Sequence, residues 1–232
     1  MQTAAALFLI ALVAVAGRPD ARPDARPATQ WLTAHPDAAP AVRQAVAAAL
    51  PKCNGLDAEA LRPLLEKLIA DADPAVRRSV ITAVIVGRIK PLAPALADSL
   101  HRGGRPTPER LVLLEALRVL AEPSAMGVLA VELGDFHNPP KVRAACLRAI
   151  AATDPERGDG FAAALVDDPA PTLRDAAVRV LGRTADGAGR LGRRLLSGKL
   201  PADARDAVID VLSAHAEKDA EAAELLRRLR GR

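Results

Sequence analysis

Apolar residues recur along this chain at positions i, i+3, i+4, i+7 and i+8, a spacing that places them on one face of an α-helix. A clear example is the segment DDPAPTLRDAAVRVLG, in which the apolar set begins at Leu173 and ends at Leu181. The same set begins at six anchor positions, which are Val42, Val76, Leu113, Val142, Leu173 and Ala204. The pattern predicts six anchor helices, each of which buries this face.

A second helical stretch follows each anchor helix. The anchors are 29 to 37 residues apart, which leaves room for two helices and a turn in each unit. We predict the second helices at 57–71, 90–101, 123–134, 155–167, 187–197 and 217–230. No segment has the pattern of a strand. Since neither helix of a pair can bury its apolar face alone, the pairs are expected to stack on their neighbours, which gives an all-α fold.

Proline marks the start of four of the anchor helices. It stands two residues before the anchor in each case, at Pro40, Pro74, Pro140 and Pro171. Proline is tolerated in the first helical turn because its missing N–H would have no helical partner there. Asp73 directly precedes one of these prolines and is predicted to cap its helix.

The repeated phrase resembles the HEAT repeat, in the short bacterial form related to the phycobilin-lyase-type repeats. The resemblance rests on D-P-x-P-x-L-R-x-x-A at 168–177 and D-P-A-V-R at 73–77, and it covers about residues 37–215. It implies one solenoid domain over 37–232, a right-handed α-α superhelix of about six helical hairpins. Such solenoids serve as scaffolds, as adaptors and occasionally as enzymes, so the resemblance does not identify an activity.

The resemblance also implies an inter-repeat ladder of arginines and aspartates. In the family, the arginine after each anchor commonly pairs with the inter-helix aspartate of a neighbouring unit. The corresponding arginines here are Arg43, Arg77, Arg143, Arg174 and Arg205, and the acidic positions are Asp37, Asp71 and Asp168, with His137 replacing the acid once. The third unit has Leu114 in the arginine position, so the ladder is expected to break there.

The N-terminal residues predict export. Residues 4–16 are an apolar run that is too short for a comfortable membrane span, and they end in the cleavage pattern Ala14-Val15-Ala16. We expect a signal peptide over 1–16 and a periplasmic or secreted protein. The alternative is a membrane anchor formed by the uncleaved segment, because no lysine or arginine precedes the run. A tract rich in proline, arginine and aspartate follows over 17–36 and is predicted to be an extended linker.

Few residues point to catalytic or metal chemistry. Cys146 occupies a core position of the repeat and Cys53 lies in a distant turn, so we expect no disulfide bond between them. The four histidines are isolated, which argues against a metal site. The segment GAGRLG at 187–192 matches a nucleotide-binding pattern, but it follows a predicted helix rather than a strand. We read it as a flexible inter-helix turn, and we predict no cofactor.

One cluster of basic residues is a candidate contact for an anionic surface. Its members are Arg190, Arg193, Arg194 and Lys199, in a chain of net charge +4. The aromatic content is only 2%, which leaves few platforms for stacking bases or sugars, and we expect no nucleic-acid partner.

The sequence therefore predicts a non-catalytic scaffold or adaptor that binds an unidentified protein partner and has no small-molecule substrate. One alternative is a binder of an anionic polymer or surface through the basic C-terminal third. A lyase-like or hydroxylase-like HEAT enzyme is a further, weaker alternative.

Overall fold

The computed structural model describes residues 38–49 and 58–231, and within these residues the chain is all-helical, with twelve α-helices and no strand. The helices are α1 (Pro40–Ala49), α2 (Ala58–Ile69), α3 (Pro74–Gly87), α4 (Ala93–His101), α5 (Thr107–Leu120), α6 (Met126–Gly134), α7 (Pro140–Thr153), α8 (Pro155–Leu165), α9 (Pro171–Leu181), α10 (Ala185–Leu196), α11 (Arg205–His215) and α12 (Ala220–Arg230). Short 3-10 turns at Lys90–Leu92, Pro123–Ala125 and Ala202–Ala204 precede α4, α6 and α11. The predicted signal peptide and the whole of the predicted linker fall outside the described residues.

The chain divides into two compact units, one that ends at Ala125 and one that begins at Met126. In the N-terminal unit, α3 packs against α1, α2 and α5, while α4 packs against α2 and α5. In the C-terminal unit, α7 packs against α6, α8 and α9, while α11 packs against α9, α10 and α12. Within each unit, these contacts join helices that are adjacent in sequence or two places apart, which is the packing expected when helical pairs lie side by side.

The predicted helix starts are found at the predicted prolines. The helices α1, α3, α7 and α9 begin at Pro40, Pro74, Pro140 and Pro171. The carboxylate of Asp73 accepts hydrogen bonds from the N–H groups of Ala75 (2.7 Å) and Val76 (3.3 Å), so it caps α3 as predicted.

The anchor positions form the core. Five of the six anchors are buried, and Val42 is half-buried. Leu114, which takes the place of a ladder arginine, is also buried, at 1% exposure. A leucine therefore fits this position because α5 presents an additional apolar residue to the core, where an arginine would need polar partners.

The interpretation of GAGRLG as a flexible turn is wrong. The segment lies inside α10, where the hydroxyl of Thr184 caps the helix by accepting a hydrogen bond from the N–H of Gly187 at 3.1 Å. A Cβ atom added at Gly192 would lie 3.1 Å from Leu212 of α11 and 3.3 Å from Leu225 of α12. This glycine therefore permits close packing of three helices and does not form a loop around a phosphate.

Candidate interaction surface

A ladder of arginines connects helices of neighbouring pairs in each unit. In the N-terminal unit, Arg43 of α1 donates two hydrogen bonds to the carboxylate of Asp71, from Nε at 2.7 Å and from Nη2 at 2.9 Å. Its Nη1 donates to the carbonyl of Ala38. This bidentate geometry matches the planar guanidinium to the carboxylate and orients both groups.

The charge of Asp71 reflects its surroundings. Partial burial raises the pKa of this carboxyl. Hydrogen bonds from Arg43 and from the N–H of Asp73 lower the pKa, as do the charges of Arg43 and Arg77, and together they outweigh the effect of burial. The pKa of Asp71 therefore lies below its ordinary value, so the ionised form is favoured in the folded state.

The second arginine of the ladder, Arg77, pairs with a glutamate that the sequence analysis did not predict as its partner. Arg77 of α3 donates to both carboxylate oxygens of Glu109, each at 2.7 Å, and to the carbonyls of Asp71 (2.7 Å) and Ala72 (2.8 Å). Arg105 also contacts Glu109. The hydrogen bond from Arg77 lowers the pKa of Glu109, although partial burial raises it, and the charge of Arg105 lowers it further.

In the C-terminal unit, two further rungs join successive anchor helices. Arg143 of α7 has Nη1 at 3.8 Å from the carboxylate of Asp168, and its Nε donates to the carbonyl of Leu133 at 2.9 Å. Arg174 of α9 donates to the carboxylate of Asp203 and to the carbonyl of Asp168, the latter at 2.9 Å. Each of these arginines therefore ties its own preceding turn to an acidic residue of the next helical pair.

The remaining ladder positions differ from a regular rung. Arg205 of α11 donates to the carbonyl of Leu229, near the end of α12, rather than to a carboxylate. His137 is 99% exposed in its side chain and contacts Asp135, with Nδ1 and the carboxylate oxygen 3.0 Å apart. Asp37 lies outside the described residues. The sequence analysis did not identify the acidic partners Glu109 and Asp203. The one feature of the sequence that could have indicated them is that each lies within two residues of the start of a helix.

The candidate anion-binding cluster is largely neutralised by carboxylates. Arg190 is paired with Asp186 at 2.7 Å, Arg194 with Asp167 at 2.9 Å, and Arg193 with Glu221. The last two pairs bridge elements that are 27 and 28 residues apart in sequence. The exposed Lys199 lies beyond the end of α10, and its backbone N–H donates to the carbonyl of Arg194 at 2.8 Å. The structure thus brings each of the three arginines to an acidic residue.

A groove of about 200 Å³ lies between α2 and α4 in the N-terminal unit. It is lined by Arg62 and Glu66 of α2 and by Asp98 of α4, with Arg102 at the end of that helix. Arg105 donates to the carbonyls of Ile69 (3.2 Å) and Ser99 (3.1 Å), which belong to the two helices that form the groove. The groove therefore carries two acidic and two basic side chains, and Ile69, Ala70, Pro94 and Ala95 add apolar surface to its lining.

Large apolar side chains are exposed mainly on or beside the second helices. Val131 of α6 is 58% exposed, Phe161 of α8 is 37% exposed, and Phe136, which follows α6 directly, is 82% exposed. Among the described residues, one other large apolar side chain is exposed, that of Val86 at the end of α3. The C-terminal unit therefore presents apolar groups to solvent on the side of its second helices.

The other candidate residues give no site. Cys146 is fully buried in α7, in the core position predicted for it, whereas Cys53 lies outside the described residues. Residues 38–49 and 58–231 contain no group of three or more His, Cys, Asp or Glu that could hold a metal ion. In the same part of the chain, no helix is both long and apolar enough to span a membrane.

No protein-family model matches this chain, and no curated protein sequence is significantly similar to it.

Proposed function

We propose that this chain is an exported, non-catalytic scaffold or adaptor that binds a protein partner through the surface lined by its second helices. In this proposal the helical pairs are HEAT-like hairpins, stacked as a right-handed α-solenoid. The apolar run over 4–16 supports export, and the recurring anchor phrase supports the HEAT-like repeat.

The observation that carries the proposal is the position of the exposed apolar side chains. The anchor helices bury nearly all of theirs, and the ladder arginines fix the helices against one another. The second helices α6 and α8 instead leave Val131 and Phe161 in contact with water. A contiguous apolar patch on a helical surface is typical of a site where another protein docks, and the proposal is that the second helices present such a patch.

An anionic polymer is the weaker candidate, because the cluster proposed to bind it is occupied. A phosphate would have to displace Asp167 or Glu221 from the arginines that hold them. Counterion release, which drives binding to nucleic acids, requires basic groups that are available to the phosphates. The geometry therefore favours the protein partner.

Site-specific photo-crosslinking in the native host tests the proposed function. We place p-benzoylphenylalanine at Val131 or Phe161, and at Val86 as a control, since that residue has similar exposure on an anchor helix. We expect a discrete protein adduct from the first two positions and none from the control. The captured protein, once purified, should bind the wild-type chain and should bind Phe161→Ala more weakly. The absence of any protein adduct, or an equal adduct at Val86, would contradict the proposal.

A further inference from the structure

Two exposed side chains of opposite charge lie along one edge of the groove between α2 and α4. They are Asp98 and Arg102, and neither forms an ion pair with another residue of the described chain. The other two charged residues of the groove, Arg62 and Glu66, pair with each other at 2.8 Å. Because Asp98 and Arg102 are four residues apart on a helical backbone, they are about 6 Å apart along the axis of α4. The groove therefore offers a negative and a positive group at a set spacing.

The two helices that form the groove run in the same direction. The 3-10 turn Lys90–Leu92, which precedes α4, packs against α2. At the opposite end of the groove, Arg105 donates to carbonyls in the last turns of both helices. Arg102 therefore lies where both helices end, and Asp98 lies about one turn closer to their starts.

The described chain begins beside this end of the groove. Arg43 donates both to the carbonyl of Ala38 and to the carboxylate of Asp71. Asp71 is the second residue after α2, and Ala70, which lies between them, lines the groove. The residues that precede Ala38 therefore join the described chain at the end of the groove where Arg102 lies.

These preceding residues include a tract with the complementary order of charges. The sequence Arg-Pro-Asp-Ala occurs twice in tandem, at 18–21 and 22–25. The rise in an extended proline-rich chain is about 3.1 Å per residue, so the arginine and the aspartate of each unit are about 6 Å apart. This spacing matches that of Asp98 and Arg102. A tract that enters from the end of the groove runs parallel to α4, which brings an arginine to Asp98 and an aspartate to Arg102.

The connection between the tract and α1 makes a weak contact sufficient. About 14 residues join Asp24 to Ala38. A flexible connection of this length spans roughly 20 Å, which gives the tract an effective concentration of roughly millimolar at the groove. Single exposed ion pairs contribute little. Two such pairs, with the prolines of the tract against the exposed Ala70 and Pro94, need to supply only a millimolar affinity.

Ligands of a single charge fit the groove less well. A phosphate would approach two carboxylates, those of Glu66 and Asp98, and a simple cation would approach two guanidinium groups. A segment that carries both charges in alternation meets opposite charges at each position. The chain itself contains such a segment.

We infer that the tandem Arg-Pro-Asp-Ala tract over 18–25 docks in the groove between α2 and α4 of its own chain, with an arginine at Asp98 and an aspartate at Arg102. The inference is independent of the proposed function, which rests on α6 and α8. It means that a partner that uses the second helices of the N-terminal unit must displace the tract.

Carbodiimide crosslinking of the purified full chain tests this contact, because the reagent joins a lysine amine to a carboxylate that the amine touches. The chain carries Arg18→Lys and Arg22→Lys, so that either unit of the tract can react. Peptide mass spectrometry identifies the carboxylate that is joined and measures the initial rate. We expect Asp98 to be the main acceptor, in an adduct with the mass of one chain, and Asp98→Asn to remove this adduct.

Charge exchange then separates specific docking from mere proximity. Arg102→Glu should lower the rate of joining to Asp98 roughly 3- to 10-fold, because a repulsion replaces one exposed attraction. The pair Asp20→Arg and Asp24→Arg should lower it similarly, and all three substitutions together should restore it. The matched control is Arg88→Glu, which reverses an exposed arginine at the end of α3, outside the groove, and should leave the rate unchanged. Circular dichroism confirms that each variant is folded.

Four results would overturn the inference. They are adducts spread evenly over the exposed carboxylates, an adduct with the mass of two chains, a rate that Arg102→Glu does not change, and a rate that the combined substitutions do not restore. The experiment uses the purified chain without a partner, so its failure leaves photo-crosslinking at Val131 and Phe161 as a separate test. The absence of adducts at those two positions would refute the proposed function and leave the docked tract standing.

Discussion

A buried charge at Val80 would test the helical register on which the fold depends. Val80 lies in α3, is fully buried, and belongs to the apolar face that packs against α1, α2 and α5. Val86 lies in the same helix but is 63% exposed. The substitutions Val80→Asp and Val86→Asp therefore make the same chemical change in one helix at two levels of burial.

The expected magnitude follows from the burial. Removing the valine from the core costs about 1.5–3 kcal/mol of apolar burial. Keeping the aspartate neutral at pH 7 costs about 4 kcal/mol more, since its ordinary pKa is about 3.9 and each pKa unit is about 1.4 kcal/mol. The total of about 6 kcal/mol is comparable with the entire free energy of unfolding of many domains. Val86→Asp should cost at most about 1 kcal/mol, mainly because a negative charge near the C-terminus of a helix is unfavourable.

Urea denaturation followed by circular dichroism measures both variants, and hydrogen exchange locates the effect. We expect Val80→Asp to remove protection from α3 and from the helices packed on it, while Val86→Asp stays close to wild type. A wild-type unfolding curve for Val80→Asp, or equal losses for the two variants, would refute the assigned register.

Three further predictions concern the ladder and the close packing of helices. Arg77→Met should destabilise the folded chain by about 2–4 kcal/mol, because it leaves Glu109 with one cation fewer. A double-mutant cycle with Glu109→Gln, measured by urea denaturation, should give a coupling of about 1–3 kcal/mol. Additive effects of the two substitutions would contradict the pairing of Arg77 with Glu109. Folding lowers the pKa of Glu109 from its ordinary value of 4.5 and that of Asp71 from 3.8, so their stabilising effect should be complete above about pH 5.5 and lost progressively as pH falls through these values toward the folded pKa values. A free energy of unfolding that does not decrease between about pH 5 and pH 3 would exclude this. Gly182→Ala should destabilise the folded chain by about 1–3 kcal/mol, since its Cβ would lie 2.6 Å from a valine of α11. Gly160→Ala has open space around it and should stabilise the chain by up to about 1 kcal/mol. Equal changes in the thermal unfolding of the two variants would contradict the close packing at Gly182.

The ladder illustrates how far sequence reasoning reaches. The pairing of Arg43 with Asp71 is of the kind that the resemblance to the HEAT repeat implied, because Arg43 follows one anchor and Asp71 lies five residues before the next. Glu109 escaped the pattern, since it lies inside the first turn of α5 rather than before a proline. Its role depends on how α5 lies against α3, which brings the carboxylate to Arg77 across 32 residues of sequence.

In the basic cluster, too, the sequence reveals ion pairs within one helix but not ion pairs between helices. The pair Arg190–Asp186 has i,i+4 spacing on one helix and could be read from the sequence. The partners of Arg193 and Arg194 lie in other elements, so the sequence alone did not show that these arginines are paired with carboxylates. The exposure of Phe136 was equally invisible, because no periodicity governs a side chain in a turn.

The helices follow from patterns in the local sequence. The 3.6-residue period of its small aliphatic residues, the prolines at helix starts and the capping aspartate act locally, within a turn or two of the chain, and each can be read from neighbouring letters. Long-range packing sets which acid meets each arginine, which glycine lies against another helix and which apolar side chain stays in water. These outcomes depend on distances between segments about 30 residues apart, which are set by the packing of whole helices.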